Sequence, residues 1–359
     1  MYLCTMIALS DILSENETGA ARKIGRLLRR SSRVVITCHM SPDGDAMGSS
    51  LALMRVLDNM GKSARVFTPD EPNANLMCLP GAERVLCFSR YSGVITRSFG
   101  TADLEVSLDY NAFTRLSRMA QSASDSPAVK IMVDHHLNPE IDGFETVVSA
   151  PERSSTCSLL YSVLIAAGLG EFIDTEAATC LLAGMMTDTN NFSHNANHPE
   201  DYLIVADLVS RGADKNELYR MLFNTFSANC LRLNGYALSQ KMKLFPAQHG
   251  AMIALTRNEL NHYHYAKGDT EGLVNRPLSI PGIIYSIYFR EESEYIKVSM
   301  RSVGDFPCDI ICSQYFGGGG HRNASGGEFH GTLEQATSLF ESLVDEFNRL
   351  YIDKSENPG

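Results

Sequence analysis

VKIMVDHH (residues 129–136) begins as an apolar, strand-like run and ends on an acid and two imidazoles. A buried strand that closes on polar groups is what a parallel sheet carries at its carboxyl edge, where open α/β folds place their chemistry. Taken alone, Asp134, His135 and His136 read more readily as a polar turn capping the strand. The second reading is a metal site, because neutral imidazole and carboxylate together suit divalent transition metals. Partners elsewhere in the chain decide between the two.

Working outward, RVVITCH (33–39), ARVFTPD (64–70) and LEVSLDY (104–110) read as further strands. AMGSSLALMRVLDNMG (46–61) and STCSLLYSVLIAAGLG (155–170) have helical periodicity ending in glycine. This alternation predicts an α/β fold whose N-terminal domain has a mostly parallel sheet with helices on both faces. From about Asp174 to Gln240 the pattern is mainly helical. We expect it to complete a first domain over 1–210 and then form a helical linker over 211–245. Strands return as AMIALTR (251–257), GIIYSIYFR (282–290) and EYIKVSMRS (294–302), followed by a glycine run and a helix near Leu333 to Leu350. They predict a smaller C-terminal α/β domain over 246–352 and a fraying tail over 353–359.

With 359 residues, 44% hydrophobic and 20% charged, the chain has the composition of a soluble globular protein long enough for two domains. It has no apolar run of about 18 residues, and the apolar start MYLCTMIAL lacks a basic leader. Neither a membrane span nor a signal peptide is expected. The nine cysteines are odd in number, form no CxxC pair and sit among apolar neighbours, which suits reduced core thiols in a cytoplasmic protein. A formal charge of −11 argues against wrapping a long nucleic-acid duplex, whose affinity comes from many Lys and Arg contacts. A small anionic substrate remains compatible, since bound cations or a local basic pocket override the global sign.

Further acids and imidazoles fall at strand or helix ends. HMSPDGDAMGS carries His39, Asp43 and Asp45, Asp109 follows a strand, and Asp188 lies near the end of an apolar helix in GMMTDTNNF. Each alone is explained by a helix cap or a turn. Together with the VDHH end they converge, because all strand ends of a parallel sheet lie on one rim. Mostly carboxylate ligands with one or two imidazoles suit manganese or magnesium, and six candidate ligands are too many for one ion. Two cations about 3.5–4 Å apart sharing one carboxylate would use them all. Gly44 is expected to let its loop turn Asp43 and Asp45 inward, and Ala46, Gly48 and Ser49 to let the next helix sit close.

HMSPDGDAMGS, SLDYN, VDHHLNP and GMMTDTNNF resemble, in order, the four motifs of the DHH phosphoesterase superfamily, and GGGGHRNASGG (317–327) resembles the signature of its DHH-associated C-terminal domain. Within the superfamily the chain is similar to the bacterial nano-RNase and pAp phosphatase group, also catalogued as exopolyphosphatase-related. The resemblance implies that His39 and Asp43 hold one metal, that Asp45, His135 and Asp188 hold the other, and that Asp109 bridges them. It implies that His136 faces the scissile phosphate and that Asp134 stands behind the ligands. Met40-Ser41 replace a commoner polar pair, which touches no ligand position.

In the second domain, the glycine run Gly318, Gly319, Gly320 is expected to be a loop with open backbone amides beside His321, able to cradle phosphate or admit a base. KVSMRS places Ser299 and Arg301 upstream, and the planar fork of Arg301 suits a substrate phosphate. Arg276, Arg290 and Arg322 are further candidates, and Ser154, Ser155 and Thr156 either donate hydroxyls or cap a helix. The expected activity is two-metal hydrolysis of very short RNA to mononucleotides and dephosphorylation of 3′-phosphoadenosine 5′-phosphate (pAp), with manganese as cofactor and magnesium as the alternative. A homodimer is the default assembly. Cyclic or linear diadenylate phosphodiesterase, exopolyphosphatase or pyrophosphatase, and RecJ-like exonuclease are the rival enzymes. A non-catalytic nucleotide-binding regulator is the rival from another class.

Overall fold

The structure, a computed structural model, describes residues 12–352. The apolar start (1–9) and the tail (353–359) lie outside the described residues. The chain divides into two compact units, one through Thr225 and one from Phe226, so the division falls inside the stretch expected as a linker.

The first unit contains strands β1 (Arg33–Thr37), β2 (Ser63–Thr68), β3 (Leu86–Cys87), β4 (Leu104–Leu108), β5 (Val129–Asp134) and β6 (Thr146–Ser149). They form one sheet in the order β3-β2-β1-β4-β5-β6, parallel throughout. Its helices are α1 (Glu15–Arg30), α2 (Gly44–Asn59), α3 (Phe88–Phe99), α4 (Ala120–Ser124), α5 (Thr156–Ala166), α6 (Thr175–Asp188), α7 (Pro199–Ser210) and α8 (Lys215–Phe223). Val34, Ile36, Leu104, Val106, Leu108, Ile131 and Val133 pack into the larger core with α1, α2, α5 and α6. Val35 and Phe67 face a smaller core with Ile95 and Phe99 of α3 and Ala123 of α4. With both faces covered, β4 is buried along its whole length, which is why it reads as a strand without polar alternation.

The sequence reading did not anticipate the two edge strands β3 and β6, which are two and four residues long and only partly buried. Helix α1 was also missed, although Ser14 and Glu17 form a reciprocal capping box at its start.

The second unit adds helices α9 (Ala228–Tyr236), α10 (Arg257–His262), α11 (Cys308–Tyr315) and α12 (Leu333–Phe347). Its strands are β7 (Met242–Phe245), β8 (Gly250–Leu255), β9 (Tyr285–Glu291), β10 (Ile296–Ser302), β11 (Gly318–His321) and β12 (Ala324–Phe329). They form a mixed sheet, β11-β12-β10-β9-β8-β7, in which only β8 and β9 pair in parallel. Ile296, Val298 and Met300 of β10 face a core with α11 and α12. By the two-residue period of a strand, Lys297, Ser299 and Arg301 point to the other face.

The glycine run is therefore not the loop that its composition suggested. It is strand β11, paired antiparallel with β12. The physical reason is close backbone approach: a Cβ at Gly318 would lie 1.9 Å from the Gly326 carbonyl oxygen, and one at Gly327 would lie 2.2 Å from that of Phe316. Glycine carries no side chain to alternate, so a strand made of it leaves no periodic signal in the sequence.

Candidate metal centre

The convergence expected of the parallel sheet is present at its carboxyl edge. His39 follows β1, Asp43 caps α2, Asp45 lies in the first turn of α2, Asp109 follows β4, Asp134 ends β5 and Asp188 ends α6. Ligand atoms of His39, Asp43 and Asp109 lie within 4.8 Å of one another, as do those of Asp45, His135 and Asp188. Asp109 stands between the two groups. Its Oδ2 is 3.4 Å from His39 Nε2 and its Oδ1 is 3.6 Å from His135 Nε2. His135 Nε2 also lies 3.5 Å from Asp188 Oδ2 and 3.9 Å from Asp45 Oδ2, and His39 Nε2 lies 3.7 Å from Asp43 Oδ2.

His39, His135, Asp43, Asp45 and Asp109 are aimed by contacts behind them. His39 Nδ1 is 2.8 Å from the Met40 carbonyl and His135 Nδ1 is 3.2 Å from that of Arg153. With the Nδ1 protons donated to those carbonyls, both Nε2 lone pairs face the acids, the arrangement typical of metal-binding imidazoles. Asp43 Oδ1 accepts from the amides of Asp45 (3.1 Å) and Ala46 (3.0 Å), which leaves Oδ2 toward His39. Asp45, 1% exposed, accepts from the Thr156 and Cys157 amides at 2.6 and 2.9 Å, so the N-terminus of α5 holds its charge. Thr156 Oγ1 donates to Asp109 Oδ1 at 2.8 Å, while Ser155 caps α5. Ser154 is buried with no hydrogen-bond partner for its hydroxyl among the described residues.

Backbone and packing requirements complete the arrangement. Asp109 sits at φ +63°, a left-handed conformation that non-glycine residues rarely adopt outside special sites. Gly44 is the first residue of α2 and serves packing more than loop freedom: a Cβ there would stand 2.2 Å from Thr187 Oγ1 of α6. A Cβ at Gly184 would stand 2.2 Å from Cys157 Sγ and 2.9 Å from Asp45 Oδ1. These small residues let α2 and α6 approach closely enough to bring Asp45 and Asp188 together.

Without a cation the cluster is electrostatically frustrated. Among the described residues no lysine or arginine forms an ion pair with these acids, and their close partners are imidazoles. Burial pushes Asp45 well above the usual carboxyl range, with Asp109 and Asp188 adding to the rise; enclosure and the charge of Asp109 raise Asp188 likewise. Burial opposes charge on His39, but hydrogen bonds and charge from Asp109 and Asp43 push it up to about 11. For Asp109 the facing imidazoles, His39 foremost, overcome burial and hold the carboxyl below its usual range. A donor set this rich in anionic oxygen, with separations close to the roughly 3–3.5 Å between ligands surrounding an ion at about 2.1 Å, fits hard or borderline divalent cations.

His136 is held differently. Its Nδ1 is 2.7 Å from Asp134 Oδ1 and its amide donates to Asp134 Oδ2 at 3.1 Å, while Asp134 is fully buried. Its Nδ1 lies 3.8 Å from Asp109 Oδ1.

On the second sheet, the register places Ser299 opposite Gly326 and Arg301 opposite Ala324, and these in turn opposite Gly319 and His321 of β11. Arg301, Ser299, Gly319 and His321 thus share one face. Gly318 and Gly320, opposite Gly327 and Ser325, take the other face by register, and β11 is exposed along its whole length. Arg301 donates through Nη1 to the carbonyls of Met300 (2.9 Å) and Ser325 (3.3 Å), and it makes no ion pair among the described residues. Arg290 is paired with Glu292 at 2.6 Å and Arg322 with Asp305 at 2.9 Å. Arg276 lies in the 3-10 turn 273–279.

The fold is that of DHH-type phosphoesterases. The chain belongs to the DHH family: the model of the DHH family N-terminal domain matches residues 33–185, and a relative of known name extends the match over most of the chain. That relative, the bifunctional oligoribonuclease and PAP phosphatase NrnA of Thermus thermophilus, is 31% identical over 320 residues, covering 88% of this chain and 90% of its own. The Bacillus subtilis protein of the same name is 25% identical over 86% of this chain and 93% of its own. The crystal structure of an exopolyphosphatase-related protein from Bacteroides fragilis superposes with a TM-score of 0.90 at 41% identity, covering 94% of this chain and 98% of that one. Exonuclease RecJ bound to manganese shares the fold, with a TM-score of 0.55 at 15% identity over 98% of both chains.

Proposed function

We propose that this chain is a two-metal phosphoesterase that hydrolyses very short RNA to mononucleotides and removes a phosphate from pAp. The observation that carries the reading is the division of Asp109, with Oδ2 toward His39 and Oδ1 toward His135, between two otherwise separate ligand groups. His39 and Asp43 would hold one ion, Asp45, His135 and Asp188 the other, and Asp109 would serve both. When bound, two divalent cations, manganese in our reading, supply a water nucleophilic at neutral pH and neutralise charge on the phosphoryl oxygens. The residues around them orient and transfer protons. Asp134 fixes the ring of His136, so that Nε2 is the atom presented to the phosphate or the leaving oxygen. Substrate selection is assigned to the second unit, where Arg301 meets a remote phosphate and Ser299, Gly319 and His321 line the same face.

The oligoribonuclease and PAP phosphatase name that four relatives carry supports the RNA and pAp substrates. The described cysteines are all free, which fits a reducing compartment, and we place the enzyme in the cytoplasm with a homodimer as its expected assembly. Among the described residues no helix is long and apolar enough to cross a membrane. The test is a turnover panel with manganese on a diribonucleotide, pAp, cyclic diadenylate, pyrophosphate and polyphosphate. Hydrolysis of the first two above the rest is expected; turnover confined to pyrophosphate or polyphosphate would reject the reading.

A further inference from the structure

Arg153 is 5% exposed and makes no ion pair among the described residues, and while its carbonyl meets His135, its side chain takes no part in the chemistry described above. Its guanidinium Nη2 donates to Ser158 Oγ (2.7 Å), Ser162 Oγ (3.2 Å) and the Ser158 carbonyl (3.3 Å). Ser158 Oγ in turn donates to Asp201 Oδ1 of α7 at 2.6 Å, and Asp201 is itself 1% exposed. A buried arginine is thus linked to a buried aspartate through one serine hydroxyl, with Arg153 Nε and Asp201 Oδ2 left without a hydrogen-bond partner among the described residues. Burying charge this way is costly, and an apolar side chain of similar volume would fill the space at less expense. What the guanidinium adds is a fixed geometry: it ties the turn before α5 to the first two turns of that helix.

Among the described residues, the segment from Arg153 to Cys157 meets Asp45, His135 and the shared Asp109 but makes no hydrogen bond to His39 or Asp43. The Arg153 carbonyl meets His135 Nδ1, the Thr156 and Cys157 amides hold both oxygens of Asp45, and Thr156 Oγ1 meets Oδ1 of Asp109, the oxygen on the His135 side. The other half is fixed without them, His39 by the Met40 carbonyl and Asp43 by the amides of Asp45 and Ala46. We infer that Arg153, anchored by Ser158 and countered by Asp201, is a positioning residue that sets the Asp45, His135 and Asp188 half of the centre and leaves the His39 and Asp43 half independent. The inference rests on the metal-centre reading above.

Manganese stoichiometry and the two separate affinities of the full chain test it, measured by calorimetry and equilibrium dialysis for wild type, Arg153→Met and Asp201→Asn, with folding checked by circular dichroism. Wild type is expected to bind two ions. In each variant one ion should weaken by about 10- to 100-fold, the usual cost of losing a group that orients a ligand, while the other stays within about twofold. In the same variants kcat for a diribonucleotide should fall while KM stays near its wild-type value. Equal weakening of both ions, or of neither, would overturn the inference. Asp201→Asn keeps the side-chain shape and decides alone if Arg153→Met does not fold. A wild-type protein that binds no ion would instead overturn the metal-centre reading itself.

Discussion

At the carboxyl edge of the first sheet, Asp45 is gripped by two amides, Asp134 by His136 and Asp43 by two more amides. On the Arg301 face of the second sheet, Arg301 touches two carbonyls, and a Cβ at Gly319 would meet nothing within 4 Å. The first region fixes most of its polar groups by hydrogen bonds from the protein itself, the kind of preorganisation that favours catalysis. In the second, Arg301 is tied only to backbone carbonyls and makes no ion pair among the described residues, and we propose that it is there to meet substrate. Chemistry and recognition should therefore fail separately when each region is damaged.

The comparison breaks most visibly at Asp109. Asp109→Ala removes the one carboxylate shared by both ligand groups and should lower turnover of a diribonucleotide by at least about 10³-fold while the fold is retained. Near wild-type activity would show that the two groups do not act together. His136→Ala should cost roughly 10²-fold in kcat, a typical loss for a proton-transfer or electrostatic partner, with manganese content unchanged. A missing metal equivalent in that variant would exchange its role with that of His135, an outcome that its 3.8 Å approach to Asp109 keeps in view.

Arg301→Ala sharpens the contrast between the regions. Loss of a charge-assisted hydrogen bond, worth about 1.5–3 kcal/mol, should reduce kcat/KM for a diribonucleotide and pAp by roughly 10- to 100-fold. Bis-p-nitrophenyl phosphate lacks the remote groups, so its hydrolysis should hardly change. Equal losses on both kinds of substrate would make Arg301 a structural residue. A smaller effect separates neighbouring glycines. Gly318→Ala would drive a Cβ to 1.9 Å from the Gly326 carbonyl oxygen and should cost roughly 1–3 kcal/mol of stability in denaturant unfolding. Gly319→Ala meets open space and should stay within about 0.5 kcal/mol. Similar losses in the two would contradict the pairing of β11 with β12.

The same contrast explains what could be read before the structure. The four long strands of the first sheet announce themselves through buried apolar runs, and the acids and imidazoles at their ends converge by topology alone. Thr156 was visible as a hydroxyl donor, but its backbone amide was not, since an amide has no letter in the sequence. Arg153 was missed for a related reason: its carbonyl orients His135, and its side chain gives no local signal of burial among serines. The glycine strand was read as a loop because close backbone approach is a long-range requirement, visible only once Gly326 and Phe316 are beside it.

Counting manganese tests the central claim most directly. Wild type should bind two ions per chain at saturation. Asp188→Ala, which removes a ligand from one group only, should bind one ion with near wild-type affinity through His39, Asp43 and Asp109. A wild-type chain that saturates with a single ion, or an Asp188→Ala variant that still binds two with unchanged affinity, would contradict the account.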